Sequence, residues 1–318
     1  MEVFRSLDEA KASGSLRGCA VAIGNLDGVH LGHQRLLALV RERARARGSR
    51  GAVLTFEPHP VRVLRPQLAP PLLTPLPRKL ELLQAQRMDG VVVQPFDRAY
   101  AATPAADFVA RDLADRLGCA EVVVGYDFTA GHERARVDPL RGLLGARGIA
   151  LHVVEPVTSD GLVVSSTKIR EFLLEGNAEA AALLLTRAHD VDGSVIRGAG
   201  RGRGFGFPTA NVATEALLPA NGVYVILAFV GGATPGEGAF HGGVCNVGVK
   251  PTVETDAAVG LEVHLFDFGG QDLYGERIRV AFLARIREER RFPSVEALRA
   301  QIARDVARAR DVLAAAPM

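Results

Sequence analysis

Gly24-Asn25-Leu26-Asp27-Gly28-Val29-His30-Leu31-Gly32-His33 is the stretch whose reading decides the fold. An apolar run, Cys19 to Ile23, leads into it, and an amphipathic run, Gln34 to Arg45, leads out. That order reads as strand, glycine-rich turn and helix. The turn then sits at a helix N-terminus, where free backbone N–H groups and the helix dipole favour an anion. His30 and His33, three apart, point the same way if the helix has begun by then. Two imidazoles beside an anion-binding turn suit phosphate chemistry on a nucleotide. Read alone, the same residues equally describe a tight βα turn whose histidines pack or cap.

Working outward, short apolar runs alternate with helical patterns from Cys19 to about Arg187. Cys19–Ile23, Gly51–Phe56, Gly90–Val93, Glu121–Val124 and Leu151–Val154 read as strands. Gln34–Arg47, Arg78–Gln86, Ala105–Leu117 and Asp138–Ala146 carry apolar residues at helical spacing. This alternation predicts a parallel sheet covered on both faces. Ligands of such sheets bind at the carboxyl ends of the strands, where the opening turn and Phe56-Glu57-Pro58-His59-Pro60 both fall. Further on, Ser165 or Ser166 is placed to cap a helix running through Glu171-Phe172-Leu173-Leu174. Hydroxyls and N–H groups there, with Lys168 and Arg170 in the first turn, form a second candidate anion site. A plain serine cap with two solvated basic residues is the simpler alternative.

The character of the chain changes near Thr186–His189. From His189 the pattern is β-rich, with no long helix until Ser294. Glycine falls at 198, 200, 202, 204 and 206, just before Phe207-Pro208-Thr209-Ala210-Asn211, so the backbone can approach a ligand closely. The segment fits neither G-x-G-x-x-G nor a Walker A motif. Gly222–Val230, Gly242–Val249, Leu261–Phe268 and Arg277–Ile286 read as sequential strands, which predicts an antiparallel barrel or sandwich. Strand alternation puts Glu262, His264, Phe266 and Phe268 on one face. Ser294 caps a last helix with the stripe Leu298, Ile302, Val306, Ala309 and Leu313. Its arginines read as a solvated face.

The length of 318 residues predicts two domains, and 48% hydrophobic residues supply a core for each. A net charge of +2 gives no nucleic-acid footprint at the level of the whole chain. The three cysteines, Cys19, Cys119 and Cys245, are widely spaced, so neither a disulfide framework nor a zinc site is expected. No apolar run reaches the roughly eighteen residues of a membrane span and no leader pattern opens the chain, so the expected setting is cytoplasmic, without membrane partners.

Gly24–His33, Thr55–Pro60, Ser165–Arg170, Gly202–Asn211, Asn246–Thr252 and Asp272–Gly275 follow one another in an order that resembles the bacterial bifunctional riboflavin kinase/FMN adenylyltransferase (FAD synthetase) family. Gly206-Phe-Pro-Thr-Ala-Asn211 is the most specific of these segments. The resemblance covers nearly the whole chain. It implies an α/β Rossmann-like nucleotidyltransferase domain with a parallel sheet over residues 1–186. A six-stranded antiparallel β-barrel riboflavin kinase domain with a C-terminal helix would follow over 187–318.

By this resemblance Glu262 is the kinase base, and Thr209 and Asn211 hold Mg²⁺ against the ATP phosphates. Gly198, Arg203, Gly206 and Pro208 belong to an ATP flap that also carries Arg201. His30 and His33 donate to ATP phosphates in a turn that includes Gly24, Asp27 and Gly28. Ser165, Ser166, Thr167 and Arg170 form the second clamp, and Asp127, Asn246 and Arg287 bind flavin. The implied partners are riboflavin, FMN and ATP, with FMN and FAD as products and no nucleic acid, in a monomer or a transient homo-oligomer.

The sequence departs from the family pattern at Leu26, Ala130, Arg136, Phe205 and Val253. The departures near Asp127 motivate an alternative, a riboflavin kinase whose N-terminal domain only binds flavin or nucleotide. Intact His30, His33 and Arg170 argue against it. A non-catalytic RNA- or flavin-binding protein using the Arg-Gly segment is a third reading, opposed by the near-neutral charge.

Overall fold

The structure is a computed structural model that describes residues 1–197, 207–231, 239–249, 259–269 and 273–315. The chain divides into two compact units, Met1–Ser165 and Ser166–Met318. The division falls earlier than the boundary read from composition, so the helices of 166–185 group with the second unit.

The first unit is built on β1 (Glu2–Phe4), β2 (Ala20–Ile23), β3 (Gly51–Glu57), β4 (Gly90–Pro95), β5 (Glu121–Gly125) and β6 (Ala150–Val154), in the order β1-β4-β3-β2-β5-β6. Every pairing is parallel. Its helices are α1 (Leu7–Ser13), α2 (Leu31–Ala46), α3 (Pro60–Leu64), α4 (Leu76–Ala85), α5 (Arg98–Ala101), α6 (Ala105–Asp107) and α7 (Val137–Gly145). Helix α6 runs on into a π-helical stretch, Phe108–Leu117, which ends at Gly118 in the left-handed region.

The inner strands are mainly apolar because both their faces are buried, and the one buried acid among them, Glu121, is held by Arg43 and His152. Val21 and Ile23 pack with Leu113, Leu117, Leu140 and Leu144 on one face. Ala20 and Ala22 pack with Leu36, Leu37, Val40 and Ala44 of α2 on the other. Strand β2 has β3 on one side and β5 on the other, so it stands where the strand order reverses. That reversal is where α/β sheets bind ligands, and the Gly24–His33 turn leaves β2 at that end. Strand β1 and α1 lie outside the sequence reading, since three residues are too few to show a periodicity. Ser6 Oγ caps α1 by accepting from Glu9 N–H, and Gly14 ends it. A short hairpin, β7 (Thr158–Ser159) with β8 (Leu162–Val163), turns at Asp160 and Gly161, both at positive φ.

The second unit opens with α8 (Ser166–Leu174) and α9 (Ala178–Leu185). A closed barrel follows, in the order β10-β13-β12-β11-β14-β9. Its strands are β9 (His189–Ile196), β10 (Ala210–Ala213), β11 (Gly222–Val230), β12 (Ala239–Val249), β13 (Val259–Leu265) and β14 (Arg277–Arg287). All pairings are antiparallel. Closure leaves no free sheet edge. Tyr224, Ile226, Cys245, Val247, Leu261, Val263, Val280 and Phe282 fill the interior. Val223, Val225, Val244 and Phe266 face outward and are covered by Ala309, Val306 and Leu313 of α10 (Val295–Ala315). Ser294 caps α10, accepting from Ala297 N–H at 3.2 Å.

The alternation read on β13 holds to Leu265 and then breaks. A turn at Phe266-Asp267, with Asp267 at φ 55°, sends Phe268 to the barrel's interior cluster instead of the outer face. The arginines of α10 are also more engaged than a solvated face implies. Arg310 forms a two-point ion pair with Asp267 and lies over the Phe266 ring, and Arg287 of β14 pairs with Asp305.

Candidate active sites

The turn after β2 is held by long-range polar contacts that no local pattern contains. Asp27 is buried, and its carboxylate accepts from Leu73 N–H at 3.1 Å, Thr74 N–H at 2.9 Å and the Thr74 hydroxyl at 3.2 Å. Thr74 Oγ1 in turn accepts from Gly28 N–H at 2.9 Å. Leu26, Gly28 and Val29 all have positive φ, at 49°, 90° and 41°. Glycine adopts this region freely, whereas a leucine and a β-branched valine there are strained by about 1–3 kcal/mol each. These left-handed residues close the turn on itself, with Val29 N–H bonded to the Leu26 carbonyl at 3.1 Å as well as Gly28 N–H to Thr74.

Helix α2 begins at Leu31, so His30 is its cap rather than part of its first turn. His30 Nδ1 accepts from His33 N–H at 3.4 Å. The two rings still lie together, stacked at 3.6 Å between centroids. Burial first, then His30 and Lys79, hold the His33 pKa well below histidine's ordinary range. The ring is therefore neutral near pH 7. Two buried polar atoms at this turn have no hydrogen-bond partner, His33 Nδ1 and Asn25 Oδ1. Orphaned buried groups are rare in folded proteins, and a ligand is one physical reason to retain them.

Asp127 lies exposed in the turn after β5, the strand beside β2. The loop that follows is tightly built. Ala130 is buried and exchanges backbone hydrogen bonds with Ala135, and Glu133 Oε1 accepts from Ala105 N–H at 2.8 Å. Gly131 is at φ 71°, where an added Cβ would lie 2.3 Å from Ala105 N. Small Ala130 thus belongs to a compact loop rather than leaving a gap.

Ser165 closes the first unit, directly before the first residue of α8. Ser166, Thr167 and Arg170 lie in the first turns of that helix. Lys168 is drawn to Glu171 and lies over the Phe172 ring.

In the second unit the barrel register brings the proposed kinase residues into one row. Asn211 of β10 pairs with Glu262 of β13, and Glu262 pairs on its other side with Asn246 of β12. Asn246 pairs with Val223 of β11, and Val223 pairs with Arg287 of β14. Directly paired residues of antiparallel strands place their Cβ atoms about 4.5–5.5 Å apart on the same face. Their chain neighbours Val212, Leu261, Val263, Cys245, Val247 and Tyr224 point into the barrel, so the row lies on its outer face. His264, two residues from Glu262, donates from Nδ1 to the Pro208 carbonyl at 2.8 Å and packs against Phe207. This contact ties the Phe207-Pro208-Thr209 segment to β13. Arg287 Nε donates to the buried Asp305 at 2.9 Å. Gly198, Arg201, Arg203 and Gly206 of the expected flap lie outside the described residues, as do Phe205 and Val253.

Sequence reasoning missed Asn25, Thr74 and Lys79 at the first site and the His264 contact at the second. Thr74 lies 46 residues from Gly28, and no periodicity signals such a pairing. Asn25 was within the quoted stretch, and its amide beside a glycine turn was the available signal.

The chain matches two family models, FAD synthetase over residues 12–168 and riboflavin kinase over 185–313. It is 40% identical over 300 residues to the bifunctional riboflavin kinase/FMN adenylyltransferase of Pseudomonas fluorescens, covering 94% of each chain. It is 38% identical to that of Escherichia coli K12, covering 92% of each, and 35% identical to that of Bacillus subtilis, covering 90% of this chain and 89% of that one. A solved structure from Streptococcus pneumoniae, described as a macrolide-efflux protein, superposes with a TM-score of 0.84 at 28% identity, covering 96% of this chain and 97% of that one. Among the described residues no helix is long and apolar enough to cross a membrane.

Proposed function

We propose the following division of chemistry for this chain, which belongs to the bifunctional riboflavin kinase/FMN adenylyltransferase family. The protein phosphorylates riboflavin to FMN with ATP and adenylylates FMN to FAD with release of pyrophosphate. With both domains matched, the kinase-only alternative is set aside. We assign adenylyl transfer to residues 1–186 and phosphorylation to 187–318.

In the kinase, Glu262 takes the proton from the ribityl 5′-hydroxyl, which is a weak nucleophile without a base. The oxygen then attacks the γ-phosphorus and ADP leaves. The Thr209 hydroxyl and the Asn211 amide carbonyl are hard oxygen donors, which suits Mg²⁺, an ion that shares substrate phosphates with few protein ligands. Bound there, Mg²⁺ would supply charge neutralisation on the transferring phosphoryl group. Asn246 and Arg287, in the same row, hold the flavin. The expected flap, with Gly198, Arg203, Gly206 and Pro208, covers ATP.

In adenylyl transfer the nucleophile is the FMN phosphate, already ionised. Its oxygen bonds to the α-phosphorus, the α–β bridging bond breaks, and the electron pair leaves on pyrophosphate. What the protein supplies is charge stabilisation. The turn at Gly24–His33 faces the triphosphate, and the His30 and His33 rings and the start of α2 provide its donors. Ser165 adds a hydroxyl in the same unit and Asp127 contacts FMN, while Ser166, Thr167 and Arg170 form a second anion site at the start of α8.

The observation that carries this reading is the pair of buried, unpartnered atoms, His33 Nδ1 and Asn25 Oδ1, where the strand order reverses. Incubation with riboflavin, ATP and Mg²⁺, with the flavins separated by chromatography, tests it. FMN forms first and FAD follows; FMN accumulating without FAD refutes the adenylyltransferase assignment.

A further inference from the structure

Only four of the 38 basic residues are lysines: Lys11, Lys79, Lys168 and Lys250. Lys250 lies outside the described residues, Lys11 is exposed, and Lys168 is paired with Glu171. Lys79 is different. It is 3% exposed, and among the described residues its ammonium makes no hydrogen bond or ion pair. A cation buried without a hydrogen-bonded ion pair is costly, and the nearby charges of Asp27 and Glu57 offset only part of that cost, which leaves room for a further anion.

Its place in the fold says what that is. Lys79 is the fourth residue of α4, and its N–H makes a first-turn bond to Pro75. Helical side chains lean toward the helix N-terminus, so Lys79 leans toward Thr74. Thr74 is bonded to Asp27 and to Gly28 of the phosphate-binding turn. The electrostatics agree with that position. Burial pulls the Lys79 pKa below the lysine range, while Asp27 and Glu57 push it back, and the Lys79 charge in turn depresses His33. Lys79 therefore shares the electrostatic surroundings of Asp27 and His33, one residue row from the Thr74 that binds the turn. In an arginine-dominated chain, a compact point charge at this position suits a close approach that a wide guanidinium fork does not.

We propose that Lys79 is a further phosphate-binding residue of the adenylyl-transfer site, its ammonium meeting the triphosphate of ATP and the departing pyrophosphate. This rests on the reading that Gly24–His33 holds that triphosphate. As the α–β bond breaks, negative charge gathers on pyrophosphate, and a preorganised cation in a dry site stabilises it without any proton transfer.

The test uses the full-length chain with FMN and varied Mg-ATP, measuring FAD formation for wild type, Lys79→Met, Lys79→Gln and His33→Ala, with a thermal midpoint for each. Lys79→Met keeps the shape and removes a charge whose burial outweighs its attraction to Asp27 and Glu57, so its midpoint stays at or above wild type. Its kcat/KM for ATP falls about 100-fold, with kcat affected as well as KM because the contact strengthens as pyrophosphate departs. Lys79→Gln behaves likewise. FAD formation within threefold of wild type in folded Lys79→Met overturns the inference. A midpoint lowered in both lysine variants also overturns it, because the ammonium is then part of the fold. If His33→Ala as well keeps wild-type kinetics, the reading of the turn fails; if His33→Ala loses activity and Lys79→Met does not, only the Lys79 inference fails.

Discussion

Replacing Asp27 by alanine should unlock the Gly24–His33 turn, and the structure sets the size of the effect. The carboxylate accepts three hydrogen bonds, from Leu73 N–H, Thr74 N–H and the Thr74 hydroxyl. Leu73 is 0% and Thr74 1% exposed, so water does not replace the lost acceptor. The hydroxyl can turn toward another acceptor, but the two backbone N–H groups cannot. A hydrogen bond to a charged group contributes about 1.5–3 kcal/mol, and orphaning its buried donor costs a similar amount. Two such losses come to about 3–6 kcal/mol, a large share of the roughly 5–15 kcal/mol that holds a domain together. Asp27→Asn keeps an acceptor and should lose about half as much. A two-unit chain need not unfold in one step, so a midpoint is read together with a local reporter. Hydrogen exchange of the peptide spanning Leu73 and Thr74, followed with urea titration of FAD formation, reads the loss locally. The reasoning is refuted if Asp27→Ala leaves those amides slow to exchange and shifts the urea midpoint by less than about 1 kcal/mol.

Other outcomes follow from the same geometry. Glu262→Gln should lower FMN formation by about 10²–10⁴-fold while supplied FMN still becomes FAD; normal kinase rates would remove Glu262 from the role of base. Combined His30→Ala and His33→Ala should do the reverse, lowering FAD formation by about 10²–10³-fold with riboflavin phosphorylation retained, as chromatography of both reactions would show. The His33 pKa is depressed in the native state, so the unfolded chain binds a proton that the native chain does not. Stability is therefore full above histidine's ordinary range and declines as pH falls through about 6.5 and below. Urea midpoints at pH 7.5 and 5.5 should differ less in His33→Asn than in wild type, and an equal difference would refute the assignment. Asp305 is buried, bonded to Arg287 and accepts from Gln301 at 2.7 Å. Asp305→Ala should loosen α10 by about 2–4 kcal/mol and raise the riboflavin KM, measured by hydrogen exchange of the helix and by kinase assays.

Much of this fold was legible in the residues. Parallel strands buried on both faces are mainly apolar, and Cys19–Ile23, Gly51–Phe56 and Glu121–Val124 read that way apart from Thr55 and Glu121. Helix α2 showed its buried stripe, and Leu261-Glu262-Val263 showed the alternation of a barrel strand. Strands β1, β9 and β10 were not separately legible: β1 has three residues, β10 has four, and β9 adjoins the glycine-rich segment. Alternation put Glu262 and His264 on one face of the strand, but not which way that face turns or that Glu262 lies beside Asn211 and Asn246.

The local pattern of the chain thus determined the alternation of strands and helices, the glycine turn at a helix start and the change to sequential strands near His189. These depend on a few neighbouring residues, whose side-chain spacing and backbone freedom act without regard to the rest of the molecule. Tertiary structure decided which distant residues complete each site. Strand order put β2 at the reversal, and burial gave Asp27, Thr74 and Lys79 a common environment across 46 or more residues of chain. Barrel closure fixed a register that lines up Asn211, Glu262, Asn246 and Arg287. Register and burial are set by the packing of whole layers, and a one-residue slip of a strand would turn its row to the other face, so no local stretch of sequence contains them.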